Sequence, residues 1–169
     1  MKPAENQASY LRQIRGSIIG AFVLLAFDAI YGSVVSAGIC PIWFLVSLVK
    51  AIKKRPGWGV GLARIMIPVL VLAIVVGNSN LQIKIASANA ERIIAACEQF
   101  RAATGKYPDK LTELVPKYLS AVPPAKYSLT SSDFRYWISG ENHELMWTKN
   151  PPFGRMIYDF ESRKWRYLD

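Results

Sequence analysis

Two long apolar runs dominate the first half of the chain. Residues 17–49 contain a single charge, Asp28, and residues 60–76 contain only Arg64, near their start. Both runs are long enough and apolar enough to cross a bilayer. From Leu81 onward the mixed composition is typical of a domain in water. The pattern therefore predicts a membrane-embedded first half followed by a water-soluble domain.

The first run is too long for one helix across a bilayer. A helix over residues 17–49 would measure about 50 Å, whereas the hydrocarbon core is about 30 Å thick. Gly32 and Ser33 offer a break that leaves two shorter segments, and Pro41 lies in the second. We therefore predict a helical hairpin over 17–49, which favours three spans over two.

Basic residues predict the orientation of these spans. Arg12 and Arg15 precede the first run, and four basic residues follow it: Lys50, Lys53, Lys54 and Arg55. Since such flanks stay in the cytoplasm, the second run must carry the chain outward. The four residues are also expected to contact anionic lipid headgroups. Together, the apolar runs and their basic flanks indicate an integral, multi-pass protein of a bacterial inner membrane.

The expected organisation has five parts. In order these are a cytoplasmic N-terminus at 1–16, a membrane segment at 17–49, a basic cytoplasmic loop at 50–59, a transmembrane helix at 60–78 and a periplasmic α+β domain at 81–169. The formal net charge of the chain is +9, and the residues before Leu81 supply most of it. The charge therefore indicates contact with lipid, and no nucleic-acid partner is expected.

A second helix is predicted immediately after the last span. Apolar or small residues recur at steps of three and four, on one stripe: Ile83, Ala86, Ala90, Ile93, Cys97 and Phe100. This spacing is typical of an amphipathic helix, here over 81–103, which Gly105 ends as a C-cap. We expect Ile93 and Phe100 to be buried, and the collar at 77–80 contains no proline to separate this helix from the span.

The last third of the chain alternates with a period of two. Phe134, Tyr136 and Ile138 share one predicted face, and turns are expected at 140–142 and 150–154. Leu145 and Trp147 share a face of the next strand. Met156, Tyr158 and Phe160 alternate after the second turn, and Trp165 with Tyr167 ends the pattern. The pattern predicts an antiparallel meander of three or four strands, for which the 81–103 helix is the only long cover.

The junction between helix and meander resembles a known family. The sequence FRAATGKYP at 100–108, Leu111 and Leu114, VPKYL at 115–119 and the Val122–Pro123 pair are similar to type II secretion pseudopilins and type IV pilin-like proteins. The resemblance covers 81–124 and implies a sheet packed on the helix. The anchor is atypical: Ala21 stands where the family has a glutamate after its prepilin-peptidase glycine.

Few residues offer catalytic or ligand-binding chemistry. His143 is the only histidine, so a histidine-based triad or multi-histidine metal site is excluded, and we expect it to be solvated in a hairpin. Cys40 and Cys97 have no metal or redox spacing and are expected to be apolar fillers. Asp28 is the one costly residue at membrane depth, expected near the outer interface. We predict no enzyme activity and no cofactor.

The meander is rich in aromatic side chains, which carry much of the energy in binding hot spots. We expect about half of these aromatic side chains to be buried in the core of the domain. Trp137 alternates with the inward set, and Pro152 and Phe153 lie in a turn, so these three residues are the predicted partner-binding surface.

Three functions fit these features. The preferred one is a noncatalytic envelope protein whose pilin-like domain binds another envelope component in secretion, pilus or envelope assembly. The second is a membrane-anchored immunity or inhibitor protein that captures an envelope-acting toxin. The third, which rests on Asp28, is a small transporter or channel accessory subunit.

Overall fold

The protein is α+β, with three helices and a four-stranded antiparallel sheet. A computed structural model describes residues 3–31, 34–54, 58–127, 133–150 and 154–169. The helices are α1 (Pro3–Tyr31), α2 (Val34–Lys54) and α3 (Trp58–Thr104), followed by a short 3₁₀ helix, Leu111–Leu114. The strands are β1 (Arg135–Ser139), β2 (Asn142–Asn150), β3 (Gly154–Asp159) and β4 (Lys164–Leu168).

The chain divides into two compact units, Met1–Ser79 and Asn80–Asp169. Helix α3 runs through the boundary between them. Because the collar at 77–80 contains no residue that breaks a helix, the apolar run and the amphipathic stripe form one helix of 47 residues.

In the first unit the three helices pack through a small apolar cluster. Its buried members are Leu24 on α1, Cys40 on α2, and Val71 and Val75 on α3. Polar contacts join the helix ends. The Tyr10 hydroxyl donates to the carbonyl of Gly59 at 3.3 Å, and the Arg64 guanidinium donates to the carbonyl of Gln13 at 2.9 Å.

These contacts bring the N-terminal parts of α1 and α3 together.

Most apolar side chains of this unit point away from it. Phe22, Ile42 and Leu70, one from each helix, are all exposed. Among the described residues, α1 over Ser9–Asp28 and α3 over Trp58–Thr104 are long and apolar enough to cross a membrane. Only 11% and 22% of their apolar windows are buried within the structure.

The second half of α3 is amphipathic, as its spacing predicts. Ala86, Ala90, Ile93 and Cys97 are all buried, which confirms the stripe. The helix ends at Thr104, and Gly105 follows with φ of +81°, a left-handed conformation that glycine adopts without strain. The amide of Gly105 donates to the carbonyl of Arg101 at 2.8 Å and closes the last turn.

The sheet is a meander with strand order β1-β2-β3-β4, in which each strand pairs antiparallel with the next. Tyr136 lies opposite Leu145, Leu145 opposite Tyr158, and Tyr158 opposite Trp165. Side chains on a strand alternate between faces, so this row shares one face. A further row on the same face joins Trp147, Met156 and Tyr167.

The core of the second unit lies between α3 and this face. Small residues of α3, including Ala86 and Ala90, meet large residues of the sheet, including Trp147 and Tyr158. Leu111 and Leu114 of the 3₁₀ helix close one side of the cluster. The predicted helix cover for the meander is therefore present.

Two expectations about burial are wrong in detail. Phe100 is only half-buried, since its ring packs edge-on against Tyr118, at 5.8 Å between centroids, at the margin of the core. Ile138 is exposed although it shares the face of Tyr136. The strand register places Trp165 and Tyr167 on the inner face as well, and both are exposed, because the core cluster of described residues includes none from β4.

Replacing Ile93 by alanine should destabilise the second unit by about 2 to 5 kcal/mol, because the side chain is fully buried. Ile94, its neighbour on α3, is only partly buried, so Ile94→Ala is the matched control and should cost clearly less. Urea unfolding of the full chain in detergent, followed by near-ultraviolet circular dichroism, measures both. Equal losses would show that the stripe is not the packed face.

Candidate binding surface

Strand β4 is an edge of the sheet, and every one of its residues is exposed. Trp165 is 39% exposed, Tyr167 47% and Leu168 44%. An exposed edge strand can pair with a strand of another chain, so natural proteins usually avoid large apolar side chains there. This strand is therefore the strongest candidate binding surface among the described residues.

The exposure of β4 follows from the way the core is built. The buried cluster draws on α3, the 3₁₀ helix, β2, β3 and the turn after β3. Trp165 touches this cluster only at its margin, where its ring lies 5.1 Å from that of Tyr158 between centroids. The tryptophan is thus held in place on one side and open on the other, which is the arrangement of an interface anchor.

The outer face of the sheet carries Trp137, which lies opposite Glu144. Trp137 is half-buried rather than freely exposed. Glu144 is itself buried and forms an ion pair with Arg166 of β4. Because Trp137 is half-buried, it offers a partner less area than a fully exposed side chain would. The other two predicted contacts, Pro152 and Phe153, lie outside the described residues.

His143 lies against other side chains, which corrects the expectation that it is solvated. Its side chain is only 17% exposed, and its Nδ1 lies 2.8 Å from Oε1 of Glu161. The ring packs on Tyr107 at 5.2 Å and on Tyr136 at 6.2 Å, both between centroids. The backbone amide of His143 donates to the other oxygen of Glu161, so this carboxylate contacts both the side chain and the backbone of His143.

Tyr107 connects this cluster to the end of α3. Its hydroxyl donates to Glu98 at 2.8 Å and accepts from Arg101 at 2.8 Å. Burial raises the pKa of Tyr107, and its hydrogen bond to Glu98 raises the pKa further. Burial also raises the pKa of Tyr136, whose hydroxyl donates to the carbonyl of Pro108. Both tyrosines therefore remain protonated and act as structural hydrogen-bond donors.

A second polar group attaches the chain around residue 125 to the rest of the unit. Asn89 donates to the carbonyl of Pro124, and Gln82 accepts from the amide of Tyr127. The ammonium of Lys126 donates to the carbonyl of Lys149 at 2.7 Å and lies 5.8 Å from the centroid of the Trp147 ring. Burial lowers the pKa of Lys126.

A groove of about 530 Å³ lies in the second unit, between α3 and residues 118–124. Arg92 and Gln99 of α3 form one wall, and residues 118–124 form the other. The groove is open and of mixed polarity, and it contains one cationic side chain. It is a weaker candidate than β4 because it presents no large exposed aromatic anchor.

Two predicted sites fall in the first unit. Asp28 is buried, and its Oδ1 has no hydrogen-bond partner among the described residues; the same is true of the Ser36 hydroxyl on α2. Lys50 and Lys53 are exposed on the last turns of α2. Lys54 is the last residue of α2, and Arg55 lies outside the described residues.

Within the described part of the chain, no group of three or more histidine, cysteine, aspartate or glutamate side chains is placed to hold a metal ion. Comparison of the chain with models of protein families, with curated proteins and with solved structures finds no match. The pilin-like resemblance of 81–124 therefore rests on its own residues.

Lys126 should make stability depend on pH. Because its pKa is lowered in the folded state, the unfolded chain binds a proton that the folded chain has released, at pH values between the folded pKa and about 10.4. Stability therefore rises with pH in that window, and Lys126→Met should remove this rise. Urea unfolding in detergent between about pH 8 and 10 is the measurement.

Lys106→Met is the control, since Lys106 is exposed and its variant should follow the wild-type curve. A Lys126→Met curve parallel to wild type would mean that the ammonium is as well solvated in the folded protein as in the unfolded chain.

Proposed function

We propose that the protein is a noncatalytic, multi-pass protein of the bacterial inner membrane, whose periplasmic domain binds another envelope component. The observation that carries the binding role is the edge strand β4, with Trp165, Tyr167 and Leu168 exposed. Secretion, pilus or envelope assembly is the process that the pilin-like resemblance implies.

The contacts of the first unit support three spans. Tyr10 of α1 reaches Gly59 of α3, and Arg64 of α3 reaches Gln13 of α1. Lys50, near the end of α2, lines the same pocket as Gln13 of α1 and Arg64 of α3. The start of α1, the end of α2 and the start of α3 thus belong to one end of the helix group, the arrangement expected of three helices that cross a bilayer in alternating directions.

Charge supports the orientation. The shared end carries Arg12, Arg15, Lys50, Lys53 and Arg64. Basic residues that flank spans remain in the cytoplasm. Helix α3 therefore starts on the cytoplasmic side, and a span needs about 20 of its 47 residues. The rest of α3 and the sheet lie in the periplasm.

Strand β4 suggests how the partner is held. An extended segment of another protein can add to an open sheet edge, where its backbone forms hydrogen bonds and its side chains meet those of the edge strand. Trp165 and Tyr167 project to the same face of β4, two residues apart, and would grip alternate side chains of the added strand. An envelope-acting toxin held by the same edge would make the protein an immunity factor instead.

Trp165→Ala should weaken partner capture by roughly thirtyfold, because removing an aromatic anchor costs about 2 kcal/mol of binding free energy. The measurement is recovery of partners from detergent-solubilised envelopes on tagged full-length protein, quantified by mass spectrometry. Tyr127→Ala is the matched control, since Tyr127 is an exposed aromatic of the same unit that lies far from β4 in sequence.

Trp137→Ala tests the outer face of the sheet in the same experiment. Loss of partners with Trp137→Ala but not with Trp165→Ala would move the surface to that face. Full recovery with both variants, in protein with native circular dichroism, would contradict binding through the sheet. A recovered toxin would select the immunity function, and a secretion or pilus subunit would select assembly.

A further inference from the structure

A polar pocket of about 410 Å³ lies among the three helices of the first unit. Residues from α1, α2 and α3 line it: Gln13, Gly16, Ser17, Gly20, Trp43, Val46, Ser47, Lys50 and Arg64. Its two charged residues, Lys50 and Arg64, are both cationic. Among the described residues no acidic side chain lines it, so none of these residues would repel an anion there.

Glycines create the space. Nothing lies within 4 Å of the point where a side chain at Gly16 would begin, so the pocket is open at this position. At Gly20 the same point lies 3.6 Å from the Trp43 ring, so the indole packs close to the α1 backbone and forms a wall. Gly16 is part of the lining, and a larger residue there would occupy space that no neighbouring atom fills.

Hydrogen-bond donors surround this space. Arg64 uses one nitrogen to bond the carbonyl of Gln13, and its planar guanidinium has five N–H donors in all. The ammonium of Lys50 and the hydroxyls of Ser17 and Ser47 belong to the same lining. Such a set of donors matches the oxygens of a phosphate group.

An apolar pocket adjoins the polar one. It has a volume of about 270 Å³ and is lined by Leu45, Val46, Val49 and Lys50. Val46 and Lys50 line both pockets. A polar space with cationic donors that continues into an apolar space fits a ligand with a charged head and a hydrocarbon tail.

We propose that the two pockets together bind one anionic phospholipid, with its phosphate held by Lys50 and Arg64 and the start of an acyl chain along Leu45 and Val49. This site rests on the proposed insertion of the helices in a bilayer. It differs from attraction of lipid by basic flanks, because it requires Arg64 and the space at Gly16, neither of which belongs to the basic residues at the end of α2.

The experiment is native mass spectrometry of full-length protein in detergent, titrated with phosphatidylglycerol or with zwitterionic phosphatidylcholine of the same acyl chains. Wild type should retain one phosphatidylglycerol in preference to phosphatidylcholine. Arg64→Gln and Gly16→Leu should each weaken retention by roughly tenfold, through loss of a charge-assisted hydrogen bond and through filling of the pocket. Lys53→Gln removes an equal charge from α2 outside the lining and should change retention less than about twofold.

Several outcomes would overturn the site. Equal losses with Lys53→Gln and Arg64→Gln would show diffuse attraction by charge. Displacement of the lipid by inorganic phosphate or glycerol phosphate would show a site for a free anion. If Gly16→Leu lowers the melting temperature, Ser47→Ala replaces it as the second lining variant, with a reduced affinity expected.

The same preparation separates this inference from the proposed function. Protein that stays soluble without detergent would contradict membrane insertion and the lipid site together. Protein that needs detergent but shows no preference for phosphatidylglycerol would contradict the lipid site alone, and partner capture through β4 is measured independently of both.

Discussion

Burial of the small-residue stripe of α3 under the aromatic face of the meander is the interaction on which the second unit depends. Ala86 and Ala90 allow the large side chains of the sheet to approach the helix closely, while Ile93 fills the centre of the interface. The apolar face of a sheet must be buried against another layer, and α3 is that layer here. The helix ends and the loops then attach through polar contacts, as Tyr107 and Asn89 show.

The same interaction explains why the edge strand β4 keeps exposed apolar side chains. One helix covers only part of a four-stranded sheet, so β4, the last strand, lies beyond the buried cluster. Trp165 and Tyr167 are large aromatic residues of the kind usually buried in a core, yet both are exposed. A domain selected only for stability would avoid this combination, because exposed apolar edges favour association. The proposed binding role rests on this exposed edge.

Local patterns in the sequence predict much of this fold. Steps of three and four identify the α3 stripe, Gly105 identifies its end, and alternation with a period of two identifies the strands. Contacts between distant residues escape such patterns. His143 is covered by Tyr107, which lies on a loop far away in sequence, and the burial of Lys126 depends on Lys149 and Trp147.

The candidate binding surface also depends on contacts that local sequence patterns do not predict. Alternation assigns Trp137 to the outer face, but it cannot tell how many strands one helix covers, and so it does not predict that Trp165 and Tyr167 are exposed. Trp137 stands on the outer face and is half-buried. The pocket proposed to bind lipid depends on three helices meeting at Gly16, Lys50 and Arg64, and no spacing within a single segment reveals it.

The central claim is that α3 carries the chain out of the cytoplasm and leaves the sheet in the periplasm. A reporter enzyme that is active only in the periplasm, fused after Asp169, tests this most directly when compared with a reporter that is active only in the cytoplasm at the same position. The account predicts activity of the periplasmic reporter and silence of the cytoplasmic one. The reverse pattern would contradict the membrane topology and, with it, the envelope function.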